Sequence, residues 1–256
     1  VEHQESETIH TSTVMKNILV WDLPIRLFHW TFAASLTAAL AIGFLVDDDS
    51  PVFQLHMLFG LVAAFLLVVR LVLGLVGSRY NRFTAMPLHP AEVMHYMVGA
   101  FTGKARRYIG HNPGCALAAI LMFALVPLLV ASGAGWLGET GEDLHEGLAI
   151  ALGVTIIAHI LGIIWHSIRH KEALAVSMLT GRKEGPEADG LPSSHPGWAV
   201  AIFAGCAAWI GALFANHDPQ AASVRIPVLG TVIQLGESEG AENGGEHEKE
   251  DADDDD

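Results

Sequence analysis

Histidine is the residue to follow in this chain, because His29, His56, His145 and His159 are among the imidazoles that fall within long apolar runs. An ionisable side chain is expensive in such surroundings and usually has a task there. A neutral imidazole offers one lone pair, so its tasks are ligation of a metal or handling of a proton; for any one of the four, a polar contact between helices is the plainer alternative. His145 and His159 share one run. Their spacing of fourteen residues puts them roughly 21 Å apart along a helix and within about 40° of the same face. They look in one direction from two heights, and each needs a partner at its own height.

The elements that must supply those partners are also hydrophobic. Five runs, at 24–46, 52–76, 113–134, 144–168 and 197–215, are each long enough to cross a bilayer, which takes roughly 20 residues. Hydrocarbon obliges a spanning segment to close its backbone hydrogen bonds internally, so each run is expected to be a helix. With 51% hydrophobic residues in 256 and a mean hydropathy of +0.39, the expected fold is an all-α transmembrane helical bundle. Pro51 and Pro113 stand where helix starts tolerate proline, and Pro127, within the third run, predicts a kink. Ala207 with Gly211, and Ala208 with Ala212, predict close packing of the fifth helix on a neighbour. In the connection at 77–111, the stretch HPAEVMHYMVGAF predicts a short amphipathic helix on the membrane surface, with a partly ordered loop as the alternative. The first run lacks the pattern of a cleaved signal peptide and is expected to remain in the mature protein.

Charge orients the bundle. Lys16 precedes the first run and Arg26 lies at its start, Arg79, Arg82, Lys104, Arg106 and Arg107 separate the second from the third, and Arg169, Lys171, Arg182 and Lys183 follow the fourth. The opposite connections, at 47–50 and 138–143, hold no Lys or Arg. By the positive-inside rule the N-terminus is cytoplasmic, and an odd number of spans places the C-terminus outside. Of the 28 acidic residues behind the net charge of −14, twelve follow Ala215. The chain therefore divides into a polar, disordered extension at 1–14, a core at 15–185, a linker with the fifth helix at 186–215, and an acidic extracytoplasmic tail at 216–256.

With this topology the heights can be matched. His56 and His145 lie towards the outside, and His29 and His159 towards the cytoplasm. Two facing imidazoles suit a flat macrocycle whose metal has two open axial positions, and haem iron is the obvious one; zinc would want about four ligands at one level. Two levels with two ligands each fit two stacked b-type haems. Only Cys115 and Cys206 occur, and the chain has no C-x-x-C-H motif, so covalent c-type attachment is excluded while non-covalent haem is not. His166 reads as an interface or propionate-contact residue and, secondarily, as an alternative partner for His29. His89, His95, His170 and His217 read as surface residues.

Taken in order, VWDLPIRLFHW, QLHMLFGLVAAFLLVVRLVLGLVGSRYNRF, GHNPGC, LHEGLAIALGVTIIAHILGIIWHS and SMLTGRK resemble the bacterial cytochrome b561 family, which includes the b-type cytochrome subunits of nickel–iron hydrogenases. The resemblance covers roughly 15–185 and implies a four-helix core with two haems b, held by one histidine from the first span, one from the second and two from the fourth. On this chain that implies His29 with His159 for the cytoplasmic-side haem and His56 with His145 for the outer one. Arg70 falls where the family has a basic residue, and Arg26 lies one turn before His29. Both are candidates for haem propionates, with positive-inside anchoring as the alternative. GHNP and TGRK recur in the family without a role that the residues themselves explain. The fifth helix and the acidic tail extend past this core.

The function expected is transfer of electrons between the quinone pool and a redox partner outside the cytoplasm, across a bacterial plasma membrane. No Gly-rich dinucleotide loop follows a strand, which favours quinone over a soluble nucleotide. The outer partner is either a c-type cytochrome, drawn by the acidic tail, or a hydrogenase subunit for which this chain is the membrane anchor; a solvated, solubilising tail is the plainer reading of the acidic run. The chain then acts as a quinone-linked oxidoreductase subunit or only as a conductor, alone, with a second copy or in a larger complex, among lipid and without nucleic acid. A haem-free transporter or structural subunit is the reading from a different class.

Overall fold

The computed structural model describes residues 15–134 and 139–235; the expected N-terminal extension and the acidic run from 236 onward lie outside them. Helix formation follows from apolar runs that start at proline and at side-chain caps. Strand β1 (Met15–Leu19) leads into α1 (Leu23–Leu45), where the Asp22 carboxylate accepts from the Ile25 amide at 3.2 Å and Pro24 fills the first turn. Helix α2 (Gln54–Val76) follows a short 3-10 turn opened by Ser50 and Pro51. Helix α3 (Pro90–Thr102) is the short helix expected in the long connection, with Met94, Met97, Val98 and Phe101 exposed along it. At α4 (Pro113–Gly133), Asn112 caps the start by accepting from the Cys115 amide at 2.8 Å, which is the local role of the GHNP segment. Pro127 lies inside this helix.

Helix α5 (Glu139–His170) has 32 residues and is roughly 48 Å long. It is followed by α6 (Leu174–Thr180), β2 (Arg182–Pro186) and α7 (Pro196–Ala215). Helices α1, α2, α4, α5 and α7 are long and apolar enough to cross a membrane. Helix α1 packs on α2 and α4 on α5 as two hairpins; α2 meets α4, and α7 lies along α1 and α2. Lipid tails are as apolar as these helix faces, so close fit and buried polar bonds hold the bundle, with little help from a hydrophobic drive. Phe28 and Phe32 of α1 stack at 5.2 Å and both meet Phe123 of α4 edge-on, at 6.3 and 6.1 Å.

Two small sheets close the ends. At what is termed the ribbon end, β1 and β2 pair antiparallel with Met15 opposite Pro186 and Leu19 opposite Arg182. The TGRK segment makes this turn: Gly181, at φ +80°, ends α6 in the left-handed conformation that glycine adopts without strain, and its carbonyl accepts from the Val20 and Trp21 amides at 2.8 and 3.0 Å. The ribbon thus joins the two ends of the expected core. At the opposite, capped end, β3 (His217–Asp218), β4 (Ser223–Arg225) and β5 (Val232–Gln234) form a three-stranded antiparallel sheet. This sheet occupies the first part of what sequence alone assigned to an acidic tail. Val224, Ile226 and Leu235 are buried and belong to the main apolar cluster, and that burial is why the segment folds.

The small-residue face of α7 is not the one that meets the rest of this chain. Ala207, Ala208 and Gly211 are exposed. The helix packs through Ile202, Cys206, Trp209 and Leu213, an i, i+4, i+7, i+11 stripe, with Trp209 stacked on Phe65 of α2 at 5.0 Å. The larger side chains carry the contact because Phe65 offers them a flat face.

Candidate functional site

At the capped end His56, near the start of α2, and His145, in the first turns of α5, face each other with ring centres 5.8 Å apart and planes at 72°. Each imidazole is fixed by the other helix of its own hairpin. His56 Nδ1 lies 2.8 Å from the Ala39 carbonyl of α1, and His145 Nδ1 lies 3.0 Å from the Leu129 carbonyl of α4. A carbonyl oxygen only accepts, so Nδ1 carries the proton in both rings and Nε2 keeps its lone pair.

The reason each ring reaches a helix carbonyl is a glycine four residues further on. Gly43 follows Ala39 and Gly133 follows Leu129; residues four apart lie one above the other on a helix face. A Cβ on Gly43 would stand 2.9 Å from His56 Nδ1, and one on Gly133 would stand 2.9 Å from the His145 ring. Reading the sequence missed these glycines and the two carbonyls. Their only sequence signal is a glycine placed near the capped-end terminus of a span, and that signal has meaning only once the facing histidine is known.

The space around this pair is apolar. A cavity of about 110 Å³ is lined by Leu36, Leu40, Leu61, Val126 and Leu152 besides the two histidines. Among the described residues no three His, Cys, Asp or Glu side chains converge on one point, as a zinc site would need. The pair could hold a macrocyclic iron through the two Nε2 atoms, and the hydrogen-bonded Nδ1 atoms would supply the outer support that metal-binding imidazoles normally have.

Towards the ribbon end, His29 of α1 and His159 of α5 each have a buried Nδ1 without a hydrogen-bond partner among the described residues. Arg70 of α2 is 1% exposed. Its guanidinium lies over the Phe83 ring at 4.8 Å and the Phe123 ring at 5.4 Å, and Nη1 donates to the Asn81 carbonyl at 3.0 Å. Nη2 is buried without a partner among the described residues, an arrangement that calls for an anion. Asn81 in turn donates to Asp22 at 2.9 Å, so the cap of α1 and the position of Arg70 are set together. His111, in the loop before α4, packs edge-on against Trp21 at 4.8 Å. Burial pushes its imidazole down to about 3, with the charges of Arg70, His29, His159 and Lys183 acting in the same direction, which places it beside this inner group as a neutral ring.

Two further candidates, Arg26 and His166, have partners within the protein. Arg26 donates from Nε to the Met178 carbonyl at 3.4 Å and from Nη2 to the Leu179 carbonyl, so its guanidinium holds the end of α6. His166, expected as an interface or propionate-contact residue, is buried at 4% exposure. Its Nδ1 is 3.0 Å from the Tyr96 hydroxyl and its Nε2 is 3.3 Å from Glu172. Both ring nitrogens have protein partners, which leaves none for a metal. Lys183 completes this network, with Nζ at 2.7 Å from Glu172 and 2.8 Å from the Tyr108 carbonyl. Sequence reading also put His217 at the surface, but its Nε2 is 2.7 Å from Gln54 Oε1.

Comparison with known proteins bears on the same stretch of chain. The family model described as prokaryotic cytochrome b561 matches residues 20–181. Proteins named probable Ni/Fe-hydrogenase B-type cytochrome subunit are 22% identical over 212 residues in Bradyrhizobium diazoefficiens (65% of this chain, 86% of that one) and 22% over 218 residues in Rhizobium leguminosarum bv. viciae (66% and 89%). A third, from Rhodobacter capsulatus, is 21% identical over 229 residues, covering 70% of this chain and 85% of its own. No solved structure matches. The match spans four of the five long helices and includes His29, His56, His145 and His159, and the chain is a member of the prokaryotic cytochrome b561 family, a multi-pass b-type cytochrome of electron transport.

Proposed function

We propose that the chain holds two haems b and conducts electrons through the membrane between a quinone and a Ni/Fe-hydrogenase-type partner on the capped side. His56 and His145 would hold one haem, His29 and His159 the other, and Arg70 would meet a propionate with its unpaired Nη2. The observation that carries the reading is the outer pair: two imidazoles 5.8 Å apart, each with Nδ1 on a backbone carbonyl and Nε2 left for a metal. When bound, haem iron supplies one-electron chemistry without free charge entering the low-dielectric layer. The chain's own part is to fix ring tautomer and orientation, to exclude water with the Leu36, Leu61 and Leu152 walls, and to neutralise buried acid with Arg70.

The hydrogenase-type partner is supported by what the relatives are named and by how much of their length this chain covers. A c-type cytochrome is the second reading, favoured by the acidic residues that follow the cap. Lys and Arg placement supports a cytoplasmic ribbon end and a periplasmic capped end.

Haem content and reduced-minus-oxidised spectra of purified protein test the reading. Wild type should hold two haems b per chain. His56→Ala or His145→Ala should lose one and keep the other, and His29→Ala or His159→Ala should do the converse. A well-folded protein without b-type bands, or one in which all four variants keep both haems, refutes it. Co-purification with hydrogenase subunits, against retention on immobilised c-type cytochrome at low salt, decides between the partners.

A further inference from the structure

The capped end holds an element beyond the residues that match the family, which end at 181. The sheet β3–β5 lies over the cavity of the His56–His145 pair, and Ile233 of β5 contributes to the cavity wall alongside residues of α1, α2, α4 and α5. The sheet is built to stay there. Val224 is 0% and Leu235 is 1% exposed, and the Leu235 amide donates to the Ala222 carbonyl at 2.6 Å. One side chain of the bundle holds it at two points: Gln54 Oε1 accepts from His217 Nε2 at 2.7 Å, and Gln54 Nε2 donates to the Pro219 carbonyl at 3.2 Å. Gln54 precedes His56 by two residues on the same helix, so the latch and the ligand share a rigid support.

We propose that residues 217–235 are a lid that keeps water from the cofactor held by His56 and His145, with Ile233 as its inner face and Gln54–His217 as its latch, and that the lid raises the midpoint potential of that cofactor. The inference rests on the dihaem reading. Its physical basis is that an oxidised haem iron carries one more positive charge than a reduced one, and an apolar cover disfavours the more charged form. An outer redox partner then exchanges electrons across the lid rather than with an exposed porphyrin edge.

Full-length protein purified in detergent with its haem, and the variants Ile233→Ala and His217→Ala, provide the test. In both variants one of the two midpoint potentials should fall while the other stays, by an amount equivalent to about a tenfold change in the oxidised-to-reduced ratio, about 59 mV for one electron. Reduction of that same haem by dithionite should speed up several-fold. Should either variant lose haem, Ile233→Val, smaller by one methylene, takes its place and should show the same changes at lesser size. Unmoved potentials and reduction rates in variants that keep two haems overturn the lid. Wild-type protein lacking two haems b would instead overturn the dihaem reading.

Discussion

Whether an imidazole can ligate depends on which of its nitrogens is already spoken for. His166 and His145 stand on one helix, yet His166 has both nitrogens within bonding distance of Tyr96 and Glu172, whereas the partners of His145 among the described residues, the Leu129 carbonyl and the Ser132 hydroxyl, both meet Nδ1. The difference at His145 is made by Gly133, as at His56 it is made by Gly43. Gly133→Ala should therefore push the His145 ring off its carbonyl. Overpacking of this kind costs about 1–3 kcal/mol, so on the dihaem reading haem retention at the His56–His145 pair should weaken by roughly 5- to 150-fold, with the haem of the other pair kept. Haem content after washing with apo-myoglobin as acceptor measures this; full retention of both haems would show that the glycine is not what seats the ring. The four histidines were legible from residue type and depth alone. The glycines were not, because a glycine in a span has many uses, and only the facing imidazole selects this one.

At the scale of elements the two hairpins repeat one device: the second helix of each carries a histidine that docks on a carbonyl of the first. That repetition seats each ring of the His56–His145 pair within its own hairpin. The ribbon end is held differently, by a polar knot that ties α5, α3 and β2 through His166, Tyr96, Glu172 and Lys183. Burial alone would raise the Glu172 carboxyl, but hydrogen bonds from His166 and Lys183 and their charges outweigh it and bring it from an ordinary 4.5 to about 2. A carboxyl depressed in the folded state contributes stability that is complete above 4.5 and is lost as pH falls towards 2. Removing one partner of a buried ion pair costs about 3–5 kcal/mol, so Glu172→Gln should melt well below wild type at pH 7. The gap should close on acidification through that window, because protonated Glu172 also leaves Lys183 unpaired. Thermal melts followed by far-UV circular dichroism across pH would check it, and a gap that persists undiminished at low pH would assign the knot's strength to packing. The spans themselves could be read from hydropathy. Strands β1 and β2 could not, since each is five residues long and gains its stability from pairing with a segment far along the chain. The cap escaped for a similar reason: Val224 and Ile233 are apolar islands in a polar stretch, and only their burial against the bundle gives them a pattern.

For the whole molecule, the arrangement matters only if the two ends face different compartments. Residue 15 begins the ribbon end and residue 235 closes the capped end, with five long helices between them, so the two ends of the described chain lie on opposite sides of any bilayer the bundle spans. Which side is which is a matter of charge. Arg79, Arg82, Lys104, Arg106, Arg107, Arg169, Lys171, Arg182 and Lys183 all fall at the ribbon end, while the turn at 46–53 carries Asp47, Asp48 and Asp49 and no base. Each Lys or Arg near the surface of an anionic leaflet is worth about 1 kcal/mol, and the bias is strong enough to fix orientation during insertion. Single cysteines placed at Asp48 and at Lys104, in chains where Cys115 and Cys206 are Ala, read this directly in intact cells. A membrane-impermeant maleimide should label position 48 and not position 104. The reverse pattern would put the His56–His145 pair and its lid on the cytoplasmic side, and the outer redox partner would have to be sought there.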